Sequence, residues 1–77
     1  MSYENPRAAI LLRPIDAKVI GSGGKIKPYR AGKRVQVQRN PAKGGYYILW
    51  FSRSHVAEVA DFDLHDTVQY TDRRPQR

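Results

Sequence analysis

Cationic side chains are interleaved with aromatic ones through the middle of this 77-residue chain. From position 17 to position 53 there are nine Lys and Arg residues and no Asp or Glu. Cations contact phosphates and exposed rings stack on bases, so this pattern is typical of a nucleic-acid-binding surface. We expect the contacts to come from Lys25, Lys27, Tyr29, Arg30, Lys33, Arg34, Gln36, Arg39, Lys43 and Arg53.

The distribution of charge favours the same interpretation. The chain carries 14 Lys and Arg against seven Asp and Glu, a formal net charge of +7, and the segment after Arg53 is slightly acidic. We expect one cationic face, on the hairpin side of 25–43, that contacts phosphates of DNA or RNA. The alternative is a basic surface that only keeps the protein soluble.

The groups that could do catalysis or bind metal are few. Ser52 or Ser54 could be combined with His55 and Asp61 as a triad, but no nucleophile motif surrounds either serine. We expect no enzyme, and a small ribonuclease toxin is the enzymatic alternative. The segment from Asp61 to Asp66, which includes His65, is expected to be a solvated acidic turn, and we expect neither metal nor cofactor.

The strand around which the other elements must pack is the apolar run 46–51, which follows the Gly44-Gly45 turn. It contains four of the eight aromatic residues of the chain. Aromatic enrichment and length favour a strand. Alternation then puts Tyr46, Ile48 and Trp50 on one face and Tyr47, Leu49 and Phe51 on the other. We expect Trp50 to belong to the core.

Further short strands are predicted on both sides of this run. Patterns at 33–39 and 67–71 favour strands, as does the pattern at 8–13, where a helical turn is the alternative, and 15–20 fits a strand or an extended arm. Val35 and Val37 should point inward while Arg34, Gln36 and Gln38 point outward. Pro28 restricts 25–30 to an edge strand or a loop. Residues 54–60 fit a short helical turn as well as they fit a strand.

Four to six short strands separated by turns predict a mainly β fold, a small antiparallel barrel. The hairpin Ala31-Gly32-Lys33-Arg34-Val35-Gln36-Val37, turn, Gly45-Tyr46-Tyr47-Ile48-Leu49-Trp50-Phe51 resembles the middle hairpin of SH3-like and Tudor-like barrels. The resemblance covers only about residues 31–51. It implies a fold and no function, because such barrels have many functions.

Length and composition set the remaining expectations. We expect residues 1–77 to form a single domain with loose termini at 1–6 and 73–77. The absence of Cys and of any apolar run long enough for a membrane span favours a cytoplasmic location without membrane association. The functional alternative to nucleic-acid binding is a protein-interaction or assembly module, including a homodimer, that uses the apolar strand or an open sheet edge.

Overall fold

A computed structural model describes residues 6–21 and 23–71 as one antiparallel sheet curled into a half-barrel. The strands lie in the spatial order β3-β2-β6-β5-β4-β1-β7. A 3-10 turn at Asp61–Asp63 and a one-turn helix, α1, at Leu64–Thr67 precede the last strand. The strands are β1 Arg7–Leu11, β2 Ile15–Val19, β3 Ile26–Tyr29, β4 Arg34–Arg39, β5 Tyr46–Ser52, β6 His55–Ala60 and β7 Val68–Tyr70.

The prediction of a small, mainly β, antiparallel barrel-like fold is confirmed. The sheet has seven strands instead of the predicted four to six, and of the two alternatives left open for residues 54–60, helical turn or strand, the structure contains the strand. His55–Ala60 is strand β6 because it pairs along nearly the whole length of β5, from Tyr46↔Ala60 to Trp50↔Val56. Cross-strand hydrogen bonds therefore outweigh the helical spacing of Val56, Val59 and Ala60.

Strand β5 lies at the centre of the sheet, and its two faces differ as its alternation predicts. Leu49 and Phe51 are buried on the side of the core. Trp50 is only half-buried, and it lies on the opposite side of the sheet with Ile48. The expectation that Trp50 belongs to the core was therefore wrong, because the period of two gives the core to its neighbours Leu49 and Phe51.

The core fills the concave side of the curled sheet. Val35 and Val37 point into it from β4, while Arg34 and Gln36 are exposed, as expected. Thr67 of α1 is fully buried, and its hydroxyl accepts a hydrogen bond from Arg13 and donates one to the carbonyl of Asp63. The buried hydrophobic residues are Ala9, Leu11, Ala17, Val35, Val37, Leu49, Phe51, Val59, Leu64 and Val68.

Strand β3 is an edge strand, as Pro28 predicts, because a proline cannot donate a backbone hydrogen bond to a second neighbour. It pairs only with β2, in the register Ala17↔Lys27. Tyr29 anchors this edge to the core, since its ring stacks on that of Phe51 with centroids 4.5 Å apart and planes 13° apart.

No helix in the described part of the chain is long and apolar enough to cross a membrane. The expectation of loose termini at 1–6 and 73–77 falls outside the described residues, apart from Pro6, which precedes β1.

Leu49→Ala should lower the free energy of unfolding by about 2–5 kcal/mol, because it leaves a cavity where a side chain is fully buried. Ile26→Ala is the control: Ile26 is 60% exposed, so its truncation should change stability by less than about 1 kcal/mol. Urea denaturation followed by circular dichroism measures both. Equal losses for the two variants would mean that β5 is not the centre of the core.

Candidate nucleic-acid interface

The face of the sheet opposite the core, here called the outer face, is continuous across six strands. Its side chains can be read from the pairing register, because residues paired across neighbouring strands share a face. One row joins Ile26, Lys18, Val56, Trp50, Gln36 and Ala8 in spatial order. Trp50 is thus near the middle of the outer face, with cations on both sides of it along the sheet.

An open groove of about 770 Å³ lies beside Trp50, where strands β1, β4 and β5 meet. We call it the Trp50 groove. Its volume lies in the range of sites that accept small ligands, about 300–1,000 Å³. The side chains that give it chemical character are Ala8, Ile10, Arg34, Gln36, Trp50, Ser52, Arg53 and Thr71.

The Trp50 groove is cationic. Arg34 and Arg53 are both exposed, and neither forms an ion pair with a described residue. No described Asp or Glu lines the groove. Two guanidinium groups in this setting attract anions, and each presents a planar fork of donors that matches a phosphate.

The indole ring of Trp50 is oriented by a hydrogen bond to the neighbouring strand. Its Nε1–H donates a hydrogen bond to the side-chain carbonyl oxygen of Gln38, 3.0 Å away on the neighbouring strand. This bond satisfies the polar edge of the ring. The ring therefore offers a pre-oriented aromatic surface in the same groove as the two arginines.

A second groove, of about 740 Å³, lies on the other side of Trp50, where β2, β5 and β6 meet. Its walls combine Asp16, Lys18 and Glu58 with apolar Ile20 and Val56. Carboxylates in this groove repel phosphates, so the chemistry suited to a polyanion is confined to the side of β1 and β4.

Other predicted cations lie on the core side of the sheet, at its β3 edge. Lys27 shares a face with buried Ala17, and its ammonium lies 5.4 Å from the centroid of the Tyr29 ring. Lys33 lies 5.4 Å from the same ring centroid, and Lys25 and Arg30 are exposed at either end of β3. The expectation of one cationic face was wrong, because the register of β3 turns Lys27 away from Arg34.

Two more of the predicted cationic side chains contact other side chains of the protein near the start of β5. Arg39 lies over the Tyr47 ring at 5.0 Å and donates a hydrogen bond to its hydroxyl at 2.9 Å. Lys43 lies 4.2 Å from the centroid of the Tyr46 ring and forms a 3.2 Å ion pair with Glu58. Glu58, which lies outside the basic segment 17–53, thus pairs with Lys43, although an exposed ion pair of this kind contributes little to stability.

The hypothetical triad is incomplete, because Asp61 lies far from the contacting serine and histidine side chains. The Ser52 hydroxyl oxygen lies 2.5 Å from His55 Nδ1, and the Ser54 hydroxyl oxygen lies 3.3 Å from the same nitrogen. Asp61 follows the far end of β6, a strand about 20 Å long. The serine–histidine contacts are local to the β5–β6 turn, where Ser54 N–H also donates to the Ser52 oxygen at 3.4 Å.

Within the described residues, no three His, Asp or Glu side chains are grouped so that they could hold a metal ion. No protein-family model, curated protein or solved structure matches this chain.

The structure brings three of the ten predicted site residues, Arg34, Gln36 and Arg53, into the Trp50 groove. Sequence reasoning missed Ala8, Ile10 and Thr71 as lining residues. They enter through the pairing of β1 with β4, in the register Ala8↔Gln36 and Ile10↔Arg34, and through the backbone hydrogen bond from Thr71 to Ala8. Strand pairing between distant segments leaves no local signal in the sequence.

Quenching of Trp50 fluorescence should report the charge of the groove, since Trp50 is the only tryptophan. With each ion referenced to its quenching of free N-acetyltryptophanamide, iodide should quench roughly twofold more efficiently than caesium, because the arginines concentrate anions near the ring. The preference should disappear in the Arg34→Glu, Arg53→Glu variant. It should largely persist in Lys25→Glu, Lys27→Glu, which changes the net charge equally at the β3 edge, away from Trp50. Equal referenced quenching of the parent by both ions would contradict the electrostatic description.

Proposed function

We propose that this chain is a small cytoplasmic nucleic-acid-binding module, an accessory or regulatory factor, that binds single-stranded DNA or RNA in the Trp50 groove. The observation that carries the proposal is the pair of exposed guanidinium groups, Arg34 and Arg53, that line one groove with a half-buried, oriented indole ring. No carboxylate of the described chain lines this groove.

In the groove, the two arginines bind phosphate, and Trp50 and Gln36 bind a base. Arg34 and Arg53 each donate paired hydrogen bonds to phosphate oxygens. A base stacks on the Trp50 ring, a contact worth roughly 1–3 kcal/mol per base in proteins of this kind. The exposed amide of Gln36, next to Trp50 in the register, offers one donor group and one acceptor to a base edge.

The position of Trp50 favours a single strand over a duplex. Its ring is half-buried in the groove, and its Nε1–H is already bonded to Gln38. In a duplex the faces of the bases are covered by their neighbours, whereas an unpaired base can turn outward and stack on such a ring. No long recognition helix is present in the described residues to enter a major groove.

The remaining cations have a less local role in this proposal. The net charge of +7 attracts a polyanion from a distance and speeds its encounter with the protein. Lys27 and Lys33, near the Tyr29 ring, lie on the other side of the sheet and strengthen this field. The proposal contains no catalytic step and requires no cofactor.

The Arg34→Glu, Arg53→Glu variant should lose most of its affinity for a single-stranded oligonucleotide. Loss of two phosphate contacts should also flatten the plot of log affinity against log salt by about 1.4. Fluorescence anisotropy of labelled oligothymidylate and oligouridylate, measured over a range of salt concentrations, gives both quantities. Trp50→Leu should weaken binding by about 1–3 kcal/mol with little change in the salt slope, because stacking involves no counterion release.

The matched control is Lys18→Glu, Arg30→Glu, which lowers the net charge by the same amount but leaves the groove intact. It should keep more affinity and a steeper salt slope than the groove variant. If the two variants behave alike, binding is set by overall charge and not by the groove. If the parent binds no polynucleotide at physiological salt, the proposed function is wrong.

A further inference from the structure

Phe62 is the most exposed large apolar side chain in the described part of the protein. Its exposed fraction is 81%, compared with 60% for Ile26, the next in rank. It lies in the 3-10 turn between Asp61 and Asp63, and Asp66 follows in α1. A single aromatic ring projecting from an acidic turn is unusual on a chain of net charge +7, and it is the kind of feature that anchors a partner.

This turn and the Trp50 groove lie at opposite ends of β5. The backbone N–H of Asp61 donates a 2.9 Å hydrogen bond to the carbonyl of Gly45, immediately before β5 begins. The groove is lined by Trp50, Ser52 and Arg53, where β5 ends. A strand of seven residues spans about 23 Å, so Phe62 cannot enter the groove of its own chain.

The two surfaces complement each other in charge and in apolar character. The turn presents one aromatic ring flanked by two carboxylates. The groove presents one indole ring with two guanidinium groups, and Ile10 and Ala8 extend its apolar surface. Asp–Arg pairs can be bidentate, and two aromatic rings of this size pack well in offset or edge-to-face contact.

We propose that the partner is a second copy of this chain: Phe62 of one copy lies in the Trp50 groove of the next. Asp61 and Asp63 of the first copy pair with Arg34 and Arg53 of the second. Two copies that both carry +7 repel each other, so a contact that joins the acidic turn to the basic groove is the electrostatically favoured one. The contact is heterologous, so assembly continues head to tail.

The same contact would regulate the groove. A polynucleotide and the Phe62 turn of a neighbouring copy cannot occupy it together, so each would displace the other. This consequence rests on the proposed function, whereas the assembly itself does not. A free chain would bind nucleic acid. In an assembly each groove would be occupied by Phe62 of a neighbouring copy, except the groove of the copy at one end.

Sedimentation velocity without polynucleotide tests the assembly, at protein concentrations up to about 1 mM because a contact of this size is weak. The mean mass of the parent should rise with concentration beyond that of a dimer. Phe62→Ser, which lacks the aromatic ring of the turn, and Arg34→Glu, Arg53→Glu, which lacks the cations of the groove, should each remain monomeric. An equimolar mixture of the two should form a 1:1 heterodimer and nothing larger, because one variant keeps the groove and the other keeps the turn.

Two controls separate this contact from general stickiness and charge. Ile26→Ser removes another exposed apolar side chain, and Lys18→Glu, Arg30→Glu matches the charge change; both should assemble as the parent does. Circular dichroism checks folding, and Arg34→Gln, Arg53→Gln replaces the groove variant if glutamates unfold it. A monomeric parent, assembly of Phe62→Ser or a monomeric mixture overturns the proposal. None of these results bears on polynucleotide binding, which is measured separately on dilute monomer.

Discussion

The hydrophobic core must form between strands of the same sheet, because the described chain has only α1 and the 3-10 turn before it as helical elements to cover that sheet. The sheet meets this constraint by curling, so that side chains from β1, β2, β4, β5 and β6 converge on its concave side. Burial of those side chains is the main favourable term in folding. The outer face of the same strands is left without a second layer over it.

This division explains how Trp50 becomes available. In β5, Leu49 and Phe51 are buried in the core, and the Tyr29 ring stacks on Phe51, which attaches the β3 edge to the core. The residue between them must point the other way. An indole on an uncovered face, held by Gln38 and lining a groove with Arg34 and Arg53, is the arrangement on which the proposed function rests.

The fold was more predictable from the sequence than the site. Period-two alternation located β4 and β5, assigned Val35 and Val37 to the core and separated Trp50 from Leu49, but it did not show which face of β5 is buried. Pro28 limited its segment to an edge strand or a loop. The helical spacing of Val56, Val59 and Ala60 was overridden by pairing with β5, which a local pattern cannot show. The site depends on strand pairing even more than the fold does. Pairing aligns Ala8 with Gln36 in the groove, and it places Lys27 on the core side. The fold also brings Glu58 to Lys43.

The most direct measurement of the central claim is a proton–nitrogen NMR titration of the labelled protein with a short oligothymidylate. The single indole Nε1–H signal of Trp50 and the side-chain Nε–H signals of Arg34 and Arg53 should shift together, in a saturable manner, with the amides of Gln36 and Ala8. Signals of Lys27, Tyr29 and Lys33 on the core side should move little. Shifts confined to that second cluster, or no saturable shifts at low salt, would contradict the account.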